Sequence, residues 1–466
     1  MISVTMVFGQ VIVPVRERWT EGRPGAGSGR AGTSSARPGA ARVATLGTVK
    51  ADSALLVPVA AQLDDITSVG PEADPAGAGL DPADVDAIWA SVRDWYRLGG
   101  TPAIQVCLRR NGKVVLNRAI GHGWGNAPGD GPDTERVAVT TESPFCGFST
   151  AKGVSAAVIY LLIEQGMFGY DDRVSDYIPE FAANGKAAIT IGQVLAHSAG
   201  VPFVAPPFRG HEMTFDEDLC LRGLTALKPS YPPGRFRVYH ALTSGLILRL
   251  LVQRATGKRI RDHLAEHVLN PLGFRWTNLG VRPEEVDAVV PSVKTGPPPS
   301  RIASFVAGKA LGGGFAKDAV NRESNRAFLT AELPSGNLVT TAAELARFYE
   351  ILARGGELDG VRVLRPETVR EMVRPAPRVP GVAGRVSRGG YELGGRRSKF
   401  GRDTTAHFGR SGFTTQYGWA DPERGLAGGI LTSGKSSVDG NRPWQLVAQI
   451  SAACPPVPPA QRVFDL

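Results

Sequence analysis

The feature that most constrains the fold of this chain is an almost entirely apolar stretch at residues 151 to 163. Among its thirteen residues only Lys152, Ser155 and Tyr160 carry polar side-chain atoms. A helix that is apolar on nearly every side must lie inside the protein, so this stretch predicts a buried central helix. The same prediction takes the Lys152 ammonium out of water, which is costly, so a lysine at this position needs a reason.

A serine precedes this lysine at helical spacing. Ser149 and Lys152 form the one Ser-x-x-Lys sequence in the chain, and side chains three residues apart share a helical face. Ser149 also falls near the helix N-terminus, which favours developing negative charge. A lysine without water loses part of its preference for the charged form, so it can accept the serine proton. We therefore predict an activated serine; the alternative is a chance tetrapeptide with Lys152 extending into solvent.

Length, composition and charge limit the organisation of the 466-residue chain. Its net charge is +9, but residues 1 to 50 hold seven Lys or Arg and only two Glu. The rest of the chain is nearly balanced and gives no reason to expect nucleic-acid binding. We predict that residues 1–80 form a basic, Gly/Pro/Ala-rich disordered tail and linker, and that residues 81–460 form a single catalytic domain.

Compartment and cysteine usage give further expectations. No uncharged apolar run reaches the roughly 18 residues of a membrane span, and residues 1 to 15 lack the basic region of a signal peptide. We expect a soluble, cytoplasmic protein without an integral membrane segment, with cell-envelope association as the alternative. No Cys-x-x-Cys occurs and the four cysteines lie far apart, so neither a disulfide framework nor a zinc ribbon is expected.

Local signals predict strands towards both ends of the domain and helices between them. Asn111-Gly112 predicts a tight hairpin, Asp81 and Pro82 a helix start, and Thr190 with Gln193 a capping box. The fold class is therefore α+β: an antiparallel sheet of N- and C-terminal strands, flanked by helices, with a mostly helical insertion. Helices are predicted at residues 82–98, 241–255, 341–352 and 443–453, and strands at residues 104–108, 114–116, 413–419 and 426–431.

Seven groups of residues carry a resemblance to a known family. They are, in chain order, Phe148-Ser-Thr-Ala-Lys152; Asp171-Asp-Arg-Val with Tyr177-Ile-Pro-Glu180; Ile189-Thr-Ile with Leu195-Ala-His-Ser-Ala-Gly-Val-Pro202; Pro233-Gly-Arg-Phe-Arg-Val-Tyr239; Pro271-Leu-Gly273; Pro334-Ser-Gly-Asn337; and Gly409-Arg-Ser-Gly-Phe413. Over about residues 85 to 455 the chain resembles the serine β-lactamase-like and penicillin-binding-protein superfamily, in particular its class C-like esterase, lipase and D-amino-peptidase branch.

This resemblance implies a β-lactamase/transpeptidase-like fold and an acyl transfer that proceeds through an acyl-enzyme. It makes Ser149 the nucleophile, Lys152 its activating partner, and Tyr239 the phenol that shuttles protons to the leaving group. It also implies an oxyanion hole formed by the backbone N–H groups of Ser149 and Phe413, with Phe413 on the strand that follows Arg410-Ser-Gly412, which matches the third motif of the family.

The substrate-binding positions implied by the resemblance are Arg410, Ser411, Gly412 and Ala241, and two of them depart from the family pattern. Ala241 stands where the family usually has Asn or Ser, so the side chain that would hold an amide substrate is missing. Arg410 stands where the family usually has Lys or His; it keeps the charge but cannot act as a base at neutral pH. We expect Arg410 to act electrostatically or to bind a carboxylate.

Three other patterns match catalytic motifs in the sequence. Lys294-Thr-Gly296 spells the third motif, but the three prolines after it exclude a paired strand. His263-Leu-Ala-Glu266-His267 matches a zinc-protease pattern, yet an amphipathic helix explains it without a metal. His407 remains an alternative to Arg410 if the third motif is placed three residues too late.

These features together predict a serine hydrolase that cleaves carboxylic esters, with a small-molecule ester or acyl substrate and with neither cofactor nor metal. The alternatives are a β-lactamase or D-amino-acid peptidase, and a catalytically inactive relative that only binds a ligand. The oligomeric state is not predicted by the sequence.

Overall fold

Strands from distant parts of the chain meet in one antiparallel sheet. The computed structural model describes residues 55–204, 208, 211–297, 325–381, 384–436 and 439–466. The strands are β1 (Thr67–Val69), β2 (Ala103–Arg110), β3 (Lys113–Trp124), β4 (Val137–Ala138), β5 (Phe145–Phe148), β6 (Asn278–Leu279), β7 (Leu338–Thr340), β8 (Glu357–Leu358), β9 (Val361–Arg362), β10 (Glu392–Leu393), β11 (Arg397–Ser398), β12 (Gly401–Arg402), β13 (Phe408–Ser411), β14 (Tyr417–Asp421) and β15 (Leu426–Thr432).

The order of the main sheet confirms that N- and C-terminal strands pair. Its sequence is β1-β3-β2-β15-β14-β13-β10, with β4 attached to β3, and β15 runs antiparallel to β2 from Leu426↔Arg110 to Thr432↔Ile104. A smaller sheet, β5-β7-β6, lies beside it. The predicted hairpin is present, because Asn111 and Gly112 take the positive φ values, 49° and 84°, that such a turn requires.

Helices cover both faces of this sheet. The helices are α1 (Pro82–Tyr96), α2 (Ala151–Glu164), α3 (Val174–Tyr177), α4 (Ile191–Leu195), α5 (Glu217–Ala226), α6 (Thr243–Thr256), α7 (Ile260–Leu264), α8 (Asn270–Leu272), α9 (Asn325–Thr330), α10 (Ala342–Ala353), α11 (Pro366–Val373) and α12 (Arg442–Ala453), with a π-helical turn, Ala265–Leu269, between α7 and α8. The predicted starts are confirmed, since Asp81 accepts from Ala83 N–H and Thr190 and Gln193 form a reciprocal capping box.

The two faces of the sheet pack in two separate hydrophobic clusters. Ile104, Val106 and Leu108 of β2 point to one face, where α1 and α12 cover them. Ala103 and Cys107 point to the opposite cluster, which contains α2 and α10. Helix α2 lies at the centre of this larger cluster, and its residues 153 to 162 are all buried. The prediction of a buried apolar helix is therefore confirmed.

Two predicted boundaries differ from the structure. The order predicted to begin near Asp81 begins earlier, because β1 pairs with β3 and Leu63 and Ile66 are buried against α1; residues 1–54 lie outside the described residues. The prediction of a strand at residues 413–419 is wrong for residues 413–416, because β14 begins at Tyr417. Gly412 N–H bonds to Gln416 O and closes a turn between β13 and β14, so Phe413 lies in that turn and not on a strand.

The described part of the chain contains no helix that is long and apolar enough to cross a membrane. Its four cysteines, Cys107, Cys146, Cys220 and Cys454, are buried and unpaired with one another.

Candidate active site

The turn between β5 and α2 presents Ser149 at the start of the buried helix. Phe148 ends β5 with φ of 50°, a left-handed conformation that is rare for a bulky residue and marks a sharp change of direction. Thr150 Oγ1 then donates a 3.0 Å hydrogen bond to Gly147 O, and helix α2 begins at Ala151. Ser149 is partly exposed, while the residues on both sides of it are buried.

Three side chains predicted to act together do meet in space. Ser149 Oγ accepts a 2.7 Å hydrogen bond from the Tyr239 phenol and a 3.4 Å hydrogen bond from Lys152 Nζ. Lys152 Nζ also lies 4.7 Å from the centre of the Tyr239 ring. Tyr239 comes from the segment that leads into α6, so two distant parts of the chain form this cluster.

The remaining protons of Lys152 are bound by main-chain carbonyl groups. Lys152 Nζ donates to Ala241 O at 2.9 Å and to Ser335 O at 2.7 Å. With the bond to Ser149, these contacts use all three N–H donors of an ammonium group. Burial is the main reason that the pKa of Lys152 falls to about 8, and the charge of Arg410 lowers it further. Lys152 can therefore lose a proton near neutral pH.

Tyr239 has a pKa that is low for a buried phenol. Burial raises this pKa, but the charges of Lys152 and Arg410 and the hydrogen bond with Ser149 outweigh burial and bring it to about 8. Only 7% of Tyr239 is exposed. Because two acidic groups of similar pKa touch one hydroxyl, the Lys152–Tyr239 pair can take up the Ser149 proton and return it.

Arg410 lies beside Tyr239 but does not point freely into a substrate cleft. It is 1% exposed; its Nη1 donates to Gly390 O at 2.7 Å and its Nη2 lies 3.0 Å from His197 Nε2. Its guanidinium carbon is 5.1 Å from the centre of the Tyr239 ring. The structure thus favours the electrostatic alternative for Arg410, because carboxylate binding would require it to give up these internal partners.

The other predicted substrate-binding residues contact Glu392, the Gly147 backbone and Lys152. Ser411 Oγ and N–H both donate to Glu392 Oε1, at 2.5 and 3.0 Å. A Cβ atom at Gly412 would lie 2.1 Å from Gly147 O, so this position requires glycine for β13 to approach the Ser149 turn. Ala241 contributes its carbonyl to Lys152 rather than a side chain.

The two backbone N–H groups predicted to form an oxyanion hole are available for a ligand. Neither Ser149 N–H nor Phe413 N–H donates a hydrogen bond to another described residue. The Phe413 ring contacts the Phe148 ring edge to face, with centroids 5.9 Å apart. The turn after β13 therefore packs against the residue that immediately precedes Ser149.

The look-alike motifs lie elsewhere and have other partners. Lys294 is exposed and Thr295 donates to Gly100 O, so this segment is not the third motif. His263 hydrogen-bonds Thr256 at 2.9 Å, and the described residues include no group of three or more His, Cys, Asp or Glu that could hold a metal. His407 Nε2 bonds to the Tyr417 hydroxyl at 2.8 Å and its ring stacks on Phe400, so these contacts of His407 involve neither Ser149, Lys152 nor Tyr239.

Three residues at the site were not predicted from the sequence to have a role there. Ser335 holds Lys152 through its carbonyl, and Glu392 holds the end of β13 through Ser411. His197 contacts Arg410 and lies edge-on to the Tyr239 ring, with centroids 4.9 Å apart. Both Ser335 and His197 belong to segments of the resemblance, which was the one sequence signal available for them.

Comparison with known proteins identifies the family. A model of the beta-lactamase family matches residues 87–452. The esterase/beta-lactamase LipL of Mycobacterium tuberculosis is 32% identical over 355 residues, which cover 73% of this chain and 78% of LipL. A solved family VIII carboxylesterase is 25% identical with a TM-score of 0.64, and a penicillin-binding-protein homologue from Caulobacter crescentus is 24% identical with a TM-score of 0.67; each match covers 80% of this chain and 98% of the other. The predicted superfamily and fold are confirmed, and the chain belongs to the beta-lactamase family.

Proposed function

We propose that the protein is a serine hydrolase that cleaves carboxylic esters through an acyl-enzyme on Ser149. The observation that carries this proposal is the position of Ser149 Oγ between Lys152 Nζ and the Tyr239 phenol. An intact set of these three side chains also argues against an inactive relative that only binds a ligand. The names of the relatives support the proposal, since one is an esterase/beta-lactamase and another a carboxylesterase.

The first half of the reaction transfers the acyl group to the enzyme. After the Lys152–Tyr239 pair has lost one proton, it accepts the proton of Ser149 as Oγ attacks the ester carbonyl carbon. The N–H groups of Ser149 and Phe413 stabilise the oxyanion of the tetrahedral intermediate. The carbonyl re-forms, the bond to the alcohol oxygen breaks, and the pair returns its proton to the departing alcohol.

The second half of the reaction repeats these steps with water as the nucleophile. The pair accepts a proton from water as the hydroxyl oxygen attacks the acyl carbon. The bond between this carbon and Ser149 Oγ then breaks, and Oγ recovers a proton from the pair. The carboxylic acid leaves and the starting protonation of the site is restored.

Two features of the site favour esters over β-lactams and peptides. Ala241 offers no side-chain amide to hold an amide substrate, and an unpaired polar group on a buried substrate costs binding energy. Arg410 would bind a substrate carboxylate only by leaving Gly390 O and His197. A small, uncharged ester requires neither a side-chain amide at position 241 nor a free Arg410 guanidinium.

A panel of substrates tests this proposal. We expect wild-type protein to hydrolyse p-nitrophenyl acetate, butyrate and octanoate with a higher kcat/KM than it shows for penicillin G or nitrocefin. Ser149→Ala should lower ester turnover by about 10³-fold or more, since Ser149 forms the covalent bond. Ser175→Ala, on helix α3, serves as the matched serine control and should keep wild-type kinetics. Faster turnover of the lactams than of every ester would contradict the ester assignment.

A further inference from the structure

His197 contacts the backbone and the ring of the Tyr239 segment. Val238 N–H donates a 3.1 Å hydrogen bond to His197 O, and His240 N–H lies 3.4 Å from His197 Nδ1. The imidazole also stands edge-on to the Tyr239 ring at an interplanar angle of 74°. Because Arg410 donates to Nε2, the proton of the neutral ring lies on Nδ1, so His197 holds the Tyr239 segment through its carbonyl, which accepts from Val238 N–H, and through the ring contact.

The other ring nitrogen of His197 fixes Arg410. Arg410 Nη2 lies 3.0 Å from His197 Nε2, and the carbonyl of Gly390 accepts from Nη1 on the same guanidinium. Two partners thus determine the orientation of a planar group next to the Tyr239 ring. The charge of Arg410 lowers the pKa of both Lys152 and Tyr239. A displacement of the Arg410 guanidinium would therefore change the pH at which these two groups transfer protons.

The surroundings of His197 keep its ring neutral. The residue is 1% exposed, and burial together with the nearby charges of Arg410, Lys152 and Arg237 holds the pKa of His197 well below its usual range. An imidazolium would direct an N–H at the guanidinium, whereas a neutral ring offers it an acceptor. His197 also has φ of 59°, a left-handed conformation that its own turn imposes.

We propose that His197 is a positioning residue for the hydrolytic reaction, which holds Tyr239 and Arg410 in register with Ser149 without touching the substrate. This inference rests on the proposed ester hydrolysis at Ser149. It assigns to His197 two separable contacts: the main-chain carbonyl and the edge-on ring hold the Tyr239 segment, and Nε2 accepts a hydrogen bond from Arg410.

Two substitutions separate these contacts. Asparagine tolerates the left-handed backbone and keeps the main-chain carbonyl that accepts from Val238 N–H, but its side chain is too short to reach Arg410. His197→Asn should therefore lower kcat about tenfold or more while KM stays within about twofold, since displaced catalytic groups cost up to about 10²-fold in rate. It should also move the rising limb of the pH–rate profile to higher pH, because an Arg410 side chain held by Gly390 O alone shifts away from Tyr239 and then lowers the pKa values of the pair less. His197→Gln reaches the Nε2 position and should restore the limb towards wild type.

Kinetics at a series of pH values, with thermal melting of each variant, provide the measurement. His263→Asn replaces another buried histidine, on α7, and should leave kcat and the pH limb unchanged. A folded His197→Asn variant with wild-type kcat and limb overturns the inference, as does a raised KM at unchanged kcat. If His197→Asn does not fold, the test rests on His197→Gln. A rising limb at the same pH as in the wild type supports the inference, and a shifted limb overturns it. Wild-type protein without Ser149-dependent turnover would instead overturn the proposed function, and this inference with it.

Discussion

Replacement of Lys152 by methionine is expected to lower kcat for ester hydrolysis by about 10³-fold or more. Methionine fills similar space but carries no charge, so neither the proton of Ser149 nor its developing alkoxide is stabilised. The change also removes the charge that lowers the pKa of Tyr239. In the wild type the pKa values of Lys152 and Tyr239 are both about 8. The rising limb of the pH–rate profile of Lys152→Met should therefore lie at higher pH than that of the wild type.

Steady-state kinetics as a function of pH check this expectation. Lys186→Met is the matched control, because Lys186 is a buried lysine whose ammonium likewise donates to main-chain carbonyls, here those of Ala183, Thr225 and Leu227. This control should lower the melting temperature without a comparable loss of kcat. A Lys152→Met variant that keeps kcat within about tenfold of wild type would show that Lys152 does not take part in the proton transfers.

Replacement of Tyr239 by phenylalanine should lower kcat by about 10²- to 10⁴-fold, the usual range for loss of a general acid–base group. Tyr239→Phe should shift the pH–rate profile in the direction opposite to the shift expected for Lys152→Met. The phenolate charge of Tyr239 raises the pKa of Lys152, so its removal leaves burial to lower that pKa further. The rising limb should move to lower pH than in the wild type.

Tyr177→Phe provides the control for this substitution, since it removes a phenol that bonds to Asp172 outside the site. Opposite shifts of the limb in Lys152→Met and Tyr239→Phe would identify one coupled pair, whose apparent pKa values belong to both groups. Shifts of the same sign, or wild-type kcat in Tyr239→Phe, would exclude the pair as the proton acceptor.

Local sequence signals predicted much of the fold because turns, helix caps and buried helices depend mainly on residues that are adjacent in the sequence. Asn111-Gly112, Thr190 with Gln193 and the apolar α2 stretch each specify a turn, a cap or a buried helix from adjacent residues. Strand β1 was missed because three residues carry little periodicity and their structure depends on pairing with β3. The turn after β13 was missed for the same reason, since one bond between Gly412 and Gln416 decides it.

The site was predictable where function depends on side chains and much less so where it depends on the backbone. Ser149, Lys152 and Tyr239 were named from the sequence and lie together in the structure. The carbonyls of Ala241 and Ser335 that hold Lys152 leave no sequence signature, because every residue has a carbonyl.

Arg410 shows how burial changes a role that its residue type alone suggests. A cation at this position predicts either an electrostatic role or the binding of a substrate carboxylate, and internal partners occupy two of the Arg410 nitrogens. Its charge still acts on Tyr239 across 5.1 Å. The same argument applies to Ser411, whose hydroxyl is directed to Glu392.

The most direct test of the central claim is to identify the residue that a fluorophosphonate probe modifies. The probe phosphorus bonds to the nucleophilic oxygen as fluoride leaves, and the Lys152–Tyr239 pair takes up the hydroxyl proton. Intact-mass and peptide mass spectrometry of wild type should show one adduct, on Ser149, and no adduct in Ser149→Ala. Labelling at another residue, or equal labelling of Ser149→Ala, would contradict the account.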